Sequence, residues 1–200
     1  MIPTRTPEMP TSKLFHYYTS RAYAGRDVRQ DTGQSVRESL NAMRRAGVCP
    51  LQYWDDGKHT ITESPSGGSS SAAKEYLDKS GFPMYARIMP KKAIPAIKSS
   101  LLYRRPVIMS MNWYPNYFDA RADGIIMKPP AGSASLGGHA VCILGYDDYD
   151  KWFVVKNSWG TDFGEGGMFY FPYRLVADNA GLLNSNYVND LWSFDLIPPK

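Results

Sequence analysis

The sequence predicts an α+β fold, with helices in the first half and an antiparallel sheet in the second. Three observations predict it. Apolar residues recur at helical spacing in several segments up to Tyr103. After Arg105 the pattern changes to short runs rich in Val, Ile, Phe and Tyr, separated by aspartate- or glycine-rich turns. Hydrophobic residues make up 43% and aromatics 14% of the 200 residues, enough for a sizeable core and too many for a disordered chain. A chain of this length is one large domain or two small lobes. The expected division is an extended Pro/Thr-rich arm over 1–12, a helical part over 13–104, and a strand-rich part over 105–200.

Lys13 to Ala24 places Leu14, Phe15, Tyr17, Tyr18, Ala22 and Tyr23 on one packed helical face, and Gly25 is a stop signal. Ser35 caps the next helix, with Glu38 three residues later completing a capping box. Val36, Leu40 and Met43 follow at helical spacing and Gly47 ends the element. Residues 55–71 read as a polar surface excursion, and 72–80 as a short helix. Ala93 to Tyr103 is a stronger helix with Ile94, Ile97, Leu101 and Leu102 as its buried face; Pro95 is tolerated near its start. Strands are expected at Pro106–Trp113, His139–Tyr146, Lys151–Trp159 and Gly167–Tyr173, the middle two joined by the turn Asp147–Asp150.

Composition excludes several classes. Two cysteines rule out a disulfide-stapled scaffold and an all-cysteine zinc site, and three scattered histidines argue against a structural zinc site. No metal and no cofactor are expected. The net charge of +4, from 23 Lys+Arg against 19 Asp+Glu, reads as a mixed solvated surface. The basic pairs Arg44-Arg45, Lys91-Lys92 and Arg104-Arg105 form no stripe interleaved with aromatics, so no nucleic-acid partner is expected. No apolar run approaches the roughly 18–20 residues of a membrane helix, and no charged-then-apolar leader opens the chain. The expectation is a chain without a membrane partner; the sequence leaves its location open, with a cytoplasmic or virion or phage setting favoured.

One constellation carries chemistry. His139 begins a strand after Gly137-Gly138, and Asn157 ends the next one in the run Asn157-Ser158-Trp159-Gly160. If the two strands pair through the Asp147–Asp150 turn, His139 and Asn157 meet at one end of the sheet. An Asn carbonyl there accepts from the imidazole and fixes its tautomer. The indole of Trp159 would shield that bond from water. The Trp113–Phe118 run, WYPNYF, reads as a strand end and loop packed on the sheet.

The runs LGGHAVCILGYDD and FVVKNSWGTDFGEGGMFYFPY closely resemble the C-terminal half of papain-like cysteine peptidases. LFHYYTSR and DTGQSVRESLNAMRRAGVCPLQYW resemble the helices that follow the nucleophile in bacterial and viral members. The resemblance covers roughly residues 13–175. It implies a helical lobe, incomplete here, followed by a β-barrel-like lobe, and peptide hydrolysis through an acyl-enzyme. By the resemblance His139 is the general acid–base, Asn157 its orienter, and Trp159, Ser158 and Gly138 support them, with Ala131 to Gly138 bordering a peptide cleft.

The family's order is Gln, Cys, His, Asn, with the His about 130–150 residues after the nucleophile. That spacing puts the cysteine near or before Met1, so the nucleophile and the oxyanion-binding Gln are expected to be missing from these residues. Gln30, Gln34 and Gln52 come too late in the order. Cys49 follows a helix C-terminus, where the dipole disfavours a thiolate. Cys142 alternates to the face opposite His139 and reads as a small core residue. With the two cysteines expected in different lobes, no disulfide joins them. The expected function is a papain-like peptidase homologue inactive by itself, its missing helix supplied in trans by a separate segment, encoded ahead of a different start site, or lost by truncation. The alternative is a non-catalytic pseudopeptidase that binds peptides or proteins in the cleft, or serves a structural role. A transglutaminase-like acyltransferase fits less well, because its third member is usually an Asp.

Overall fold

The computed structural model describes residues 9–177 and 183–197. The elements in chain order are α1 (Lys13–Tyr23), α2 (Val36–Ala46), α3 (Gly67–Ser80), β1 (Phe82–Arg87), α4 (Ala93–Leu102), β2 (Val107–Trp113), α5 (Ala120–Asp123), β3 (Gly137–Asp147), β4 (Trp152–Lys156), β5 (Met168–Pro172), α6 (Tyr173–Val176) and β6 (Val188–Ile197). The chain divides into two compact units, Met1–Met84 with Leu196–Lys200, and Tyr85–Asp195. Among the described residues no helix is long and apolar enough to cross a membrane.

In the first unit, Ser12 caps α1: its hydroxyl accepts from the Phe15 amide and donates to Asp56, whose carboxylate also accepts from the Lys13 and Leu14 amides. A carboxylate at the first turn offsets the helix dipole. Of the arm expected over 1–12, residues 1–8 lie outside the described residues; Thr11 bridges Pro50 in antiparallel fashion. The capping box of α2 forms as expected, with Ser35 and Glu38 satisfying each other's backbone amides. A small core gathers Phe15, Cys49, Trp54 and Ala73.

The buried face of α1 differs from the expectation. Phe15, Ser20 and Arg21 are buried, whereas Ala22 and Tyr23 are exposed. The cause is Arg21, whose guanidinium turns inward and donates to the carbonyls of Tyr17, Val28, Gln30 and Ile61 while stacking 4.1 Å over the Tyr17 ring. A charge this deeply buried is tolerated because carbonyl dipoles and an aromatic face replace its water. Helix α3 is longer than expected: it starts at Gly67, because the Ser66 hydroxyl accepts from the Ser69 amide and caps the serine-rich first turn.

The sheet has strand order β1-β6-β2-β3-β4-β5 and stays open rather than closing into a barrel. Strands β1 and β6 are additions to the sequence reading. β2 pairs antiparallel with β3, from Val107 opposite Ile143 to Trp113 opposite Gly137, and with β6 on its other side. β3 pairs with β4 through the expected Asp147–Asp150 turn. Alternation sends Val107, Met109, Met111 and Trp113 of β2, and Val141 and Ile143 of β3, into one core with Phe153, Val155, Phe169 and Phe171. Cys142 points the other way and is only half-buried, opposite Lys156 and Ile108, so it is not a core residue. Helix α4 covers the core with Ala93, Ile97 and Ser100 buried and the expected Ile94 and Leu101 partly buried against it; of the expected face only Leu102 points away, 72% exposed.

One buried titratable group sits between α1 and α2. His16 Nε2 lies 2.6 Å from Ser39 Oγ, and its Nδ1 is buried with no hydrogen-bond partner among the described residues. Burial lowers this imidazole from 6.5 to about 4. The unfolded chain therefore takes up a proton that the fold refuses. The His16 contribution is constant above about pH 7 and turns unfavourable as pH drops from 6.5 towards 4, by up to roughly 3 kcal/mol. Urea unfolding of the chain and of His16→Gln from pH 7 to 4.5 is expected to show the steeper loss in the parent chain. Parallel pH profiles would remove His16 as the cause.

Candidate active site

His139 is the third residue of β3, at the end of the sheet where β2 stops. Gly137 enters the strand at φ +136°, a conformation closed to side chains with a Cβ, and so lets the chain turn sharply into His139. Asn157 follows the last residue of β4, and its backbone amide donates to the Gly167 carbonyl at 3.0 Å. Gly167, at φ +84°, has no room for a Cβ, which would lie 2.8 Å from the Gly160 carbonyl oxygen. The glycine-rich turn after Trp159 thus holds Asn157 by its backbone.

The two expected residues meet. His139 Nε2 lies 2.9 Å from Asn157 Oδ1. The same oxygen accepts from the Ser158 backbone amide at 2.8 Å. An amide N–H is a donor only, so this second bond identifies the oxygen, and not the NH₂ group, as the atom facing the ring. Nε2 must then carry the hydrogen, and the neutral ring keeps its lone pair on Nδ1. The arrangement has a cost: Asn157 is buried, and its Nδ2 finds no acceptor among the described residues. His139 Nδ1 is not among the buried atoms without a partner, so the free nitrogen reaches the surface.

Aromatic rings hold the imidazole from the side. Trp159 is half-buried, with its ring centroid 4.8 Å from that of His139. Trp113 is buried, lies 5.1 Å from His139 in an edge-on arrangement, and packs on Trp159 at 4.7 Å. Phe118 stacks on Trp159 and remains 44% exposed. From the sequence Trp113 is read only as the start of the run packed at a strand end, not as a neighbour of His139. Its signal was position alone: it ends the strand that pairs with the His139 strand. Gly138 and Ser158 flank the pair and are exposed.

Neither cysteine is activated. Cys49 is fully buried, its thiol donates to the Pro50 carbonyl, and burial pushes its pKa up to about 11. Burial also raises Cys142, whose side chain sits on the sheet face opposite that of His139. Gln30, Gln34 and Gln52 all lie in the other unit. Among the described residues no group of three or more His, Cys, Asp or Glu is placed to hold a metal ion.

The family model described as "Papain family cysteine protease" matches residues 54–187. An uncharacterized peptidase C1-like protein of Acanthamoeba polyphaga mimivirus is 32% identical over 196 residues, which are 94% of this chain and 59% of the viral protein. Cathepsin B-like CP1 of Giardia intestinalis is 35% identical over 83 residues, 39% of this chain and 26% of that protein. The chain therefore spans well under two thirds of either relative. Among solved structures, xylellain, a cysteine protease from Xylella fastidiosa, superposes with a TM-score of 0.79 at 26% identity, over 96% of this chain and 72% of that one. The Carica candamarcensis cysteine protease CMS1MS2 shares the fold, with a TM-score of 0.64 at 19% identity over 96% of this chain and 79% of that one.

The tautomer is directly measurable. In ¹⁵N-histidine-labelled protein, at a pH where the ring is neutral, His139 is expected to show a protonated Nε2 and a bare Nδ1. Asn157→Ala should return a mixture of tautomers, and an unchanged spectrum in that variant would show that Asn157 does not set the proton's position.

Proposed function

Because the chain belongs to the papain family of cysteine proteases, we propose that His139 is the acid–base group of a peptide-bond hydrolysis and Asn157 its positioning residue. The observation that carries this is the doubly fixed Asn157 oxygen, which assigns the hydrogen to Nε2 and leaves Nδ1 as the nitrogen that exchanges protons. Nδ1 takes the thiol's proton as the sulfur attacks the scissile carbonyl. The resulting imidazolium gives that proton to the departing amine. Water then repeats the sequence on the thioester, releasing the acid and restoring the thiol. Through both steps the Asn157 oxygen holds the ring in one orientation while its charge changes.

The thiol in this proposal comes from outside the 200 residues, in the same polypeptide or in a separate one. Cys49 is inert by burial, and Cys142 is on the wrong face. A cysteine-bearing segment then meets the sheet on the His139 face of β3, opposite Cys142. The 200 residues alone are then without turnover. The partners are that segment and a peptide or protein substrate. The second reading, a peptide-binding module without catalysis, is favoured by the exposed Phe118, stacked on the Trp159 that packs on the imidazole.

Fusing a papain-family segment carrying the Gln and Cys ahead of this chain tests the proposal with a fluorogenic peptide. Cys-dependent turnover is expected from the fusion and none from the parent chain. His139→Ala should lower kcat/KM by about 10²–10⁴-fold. Asn157→Ala should cost about a hundredfold through misplacement of the ring, with a changed pH profile that a merely structural loss would not produce. A folded fusion without Cys-dependent turnover would leave the binding module as the reading.

A further inference from the structure

A second cavity lies at the same end of the sheet as His139. Its volume is about 350 Å³, within the usual range of ligand pockets, and its walls include Tyr114, Lys128, Pro130, Gly132, Ser133 and Asn186. Topology places it there. β3 and β6 run antiparallel to β2, so the end of β2 before Tyr114, the start of β3, and the start of β6 after Asn186 come together. Tyr114 is three residues past Met111, the partner of His139. At about 3.3 Å per residue this wall residue lies about 10 Å along the strand from the residue opposite His139, roughly three residues of an extended peptide.

The lining has a definite polarity. Lys128 is its only charged side chain, and no ion pair engages that ammonium among the described residues. No carboxylate faces the cavity. The Ser133 hydroxyl and the Asn186 amide add donors, and neither side chain is committed to a hydrogen bond within the described residues. The walls are stiff. Pro129 and Pro130 lead into a turn closed by the Ser133 amide on the Pro130 carbonyl at 3.1 Å, with Gly132 at φ +82°. The Asn186 carbonyl is pinned by Tyr114 Oη at 2.7 Å and Asn112 Nδ2 at 2.9 Å. A rigid set of donors around one cation matches a carboxylate, and little ordering is needed when it binds.

We infer that this cavity receives an acidic side chain of the bound peptide, about three residues from the bond facing His139, with Lys128 as its ion partner. The inference rests on the reading of this chain as one that handles peptides, and deepens it by naming the class of peptide. Charge-assisted hydrogen bonds are worth about one to two powers of ten in affinity when partly shielded, less at an exposed lysine, so the expected preference is about tenfold.

Fluorescence anisotropy of the 200-residue chain tests it with labelled Ala/Gly octapeptides carrying one Glu at each position in turn, each paired with its Gln counterpart. One position is expected to favour Glu about tenfold. Lys128→Gln should abolish that preference, Ser133→Ala should weaken it, and Lys128→Glu should transfer it to a Lys-containing peptide. Equal binding of Glu and Gln peptides, no binding of either at millimolar concentration, or a preference that survives Lys128→Gln would overturn the inference. Acetate and inorganic phosphate, followed by the amide signals of Gly132 and Ser133, form a separate arm. Shifts with these ions while Glu and Gln peptides bind alike would make the cavity a free-anion site instead. The readout uses no turnover. An inactive cysteine fusion with an intact Glu preference rejects the peptidase reading alone, and an active fusion without the preference rejects the acidic subsite alone.

Discussion

The Asn157 amide oxygen accepts two hydrogen bonds, one from the His139 ring and one from the Ser158 backbone, and most of the strand-rich unit serves to keep it where both can form. A primary amide can rotate by half a turn and present NH₂ instead of oxygen. The Ser158 N–H forbids that rotation, because it would face a donor with a donor. The backbone of Asn157 is in turn fixed by Gly167, whose lack of a Cβ permits the close approach of the turn. Features that look separate in the sequence converge here: an Asn-Ser pair and a run of glycines fix Asn157, and a tryptophan packs on the ring bonded to it. An unpaired Nδ2 is the energetic consequence of giving the ring, rather than the protein interior, the better hydrogen-bonding end of the amide.

Much of this was legible because period-2 alternation and turn residues are local signals. The strands around His139 and Asn157, their hairpin, and the meeting of the two side chains follow from them. Cys142 shows the limit of that logic. Alternation correctly sends it opposite His139, but whether the opposite face is covered depends on the rest of the fold, and that face is only half-buried. Arg21 was illegible for a related reason. Hydrophobic periodicity assigns an arginine to solvent, yet four carbonyls, from its own helix, the turn after it and the distant Ile61, solvate this one inside. β6 was missed because Asn189, Asp190 and Asp195 interrupt its apolar residues, and tertiary pairing with β2 overrides that poor local pattern.

The aromatic surround of His139 combines two scales of packing. Trp113 belongs to the core through Phe163 and Phe169, at ring distances of 6.1 and 6.2 Å, and also touches the imidazole. The ring of His139 is therefore coupled to the interior of the sheet and not merely to a loop. Side groups fixed by a packed core keep their geometry within the tolerance that proton transfer demands. Phe118, stacked on Trp159 from the outside, continues the same layer to the surface, where apolar ligand atoms can join it.

The three histidines of the chain show what distinguishes a ring that can exchange protons from one that only fills space. His59 stacks on Trp54 at 3.6 Å and gives Nδ1 to Glu63, so that nitrogen is occupied by a carboxylate. His16 and His139 look alike at first: each engages one partner through Nε2, a hydroxyl in one case and an amide oxygen in the other. The difference lies at the other nitrogen. In His16, Nδ1 is buried without a partner, so a proton placed there would have neither water nor an acceptor to share it, and burial holds the ring neutral down to about pH 4. In His139, Nδ1 is reachable while Nε2 is anchored. A hydrogen-bonded histidine is thus no evidence of chemistry by itself. One tethered nitrogen beside one accessible nitrogen is what allows a ring to stay in place while its proton moves; in His139 the tether is a neutral amide oxygen, where in His59 it is a carboxylate.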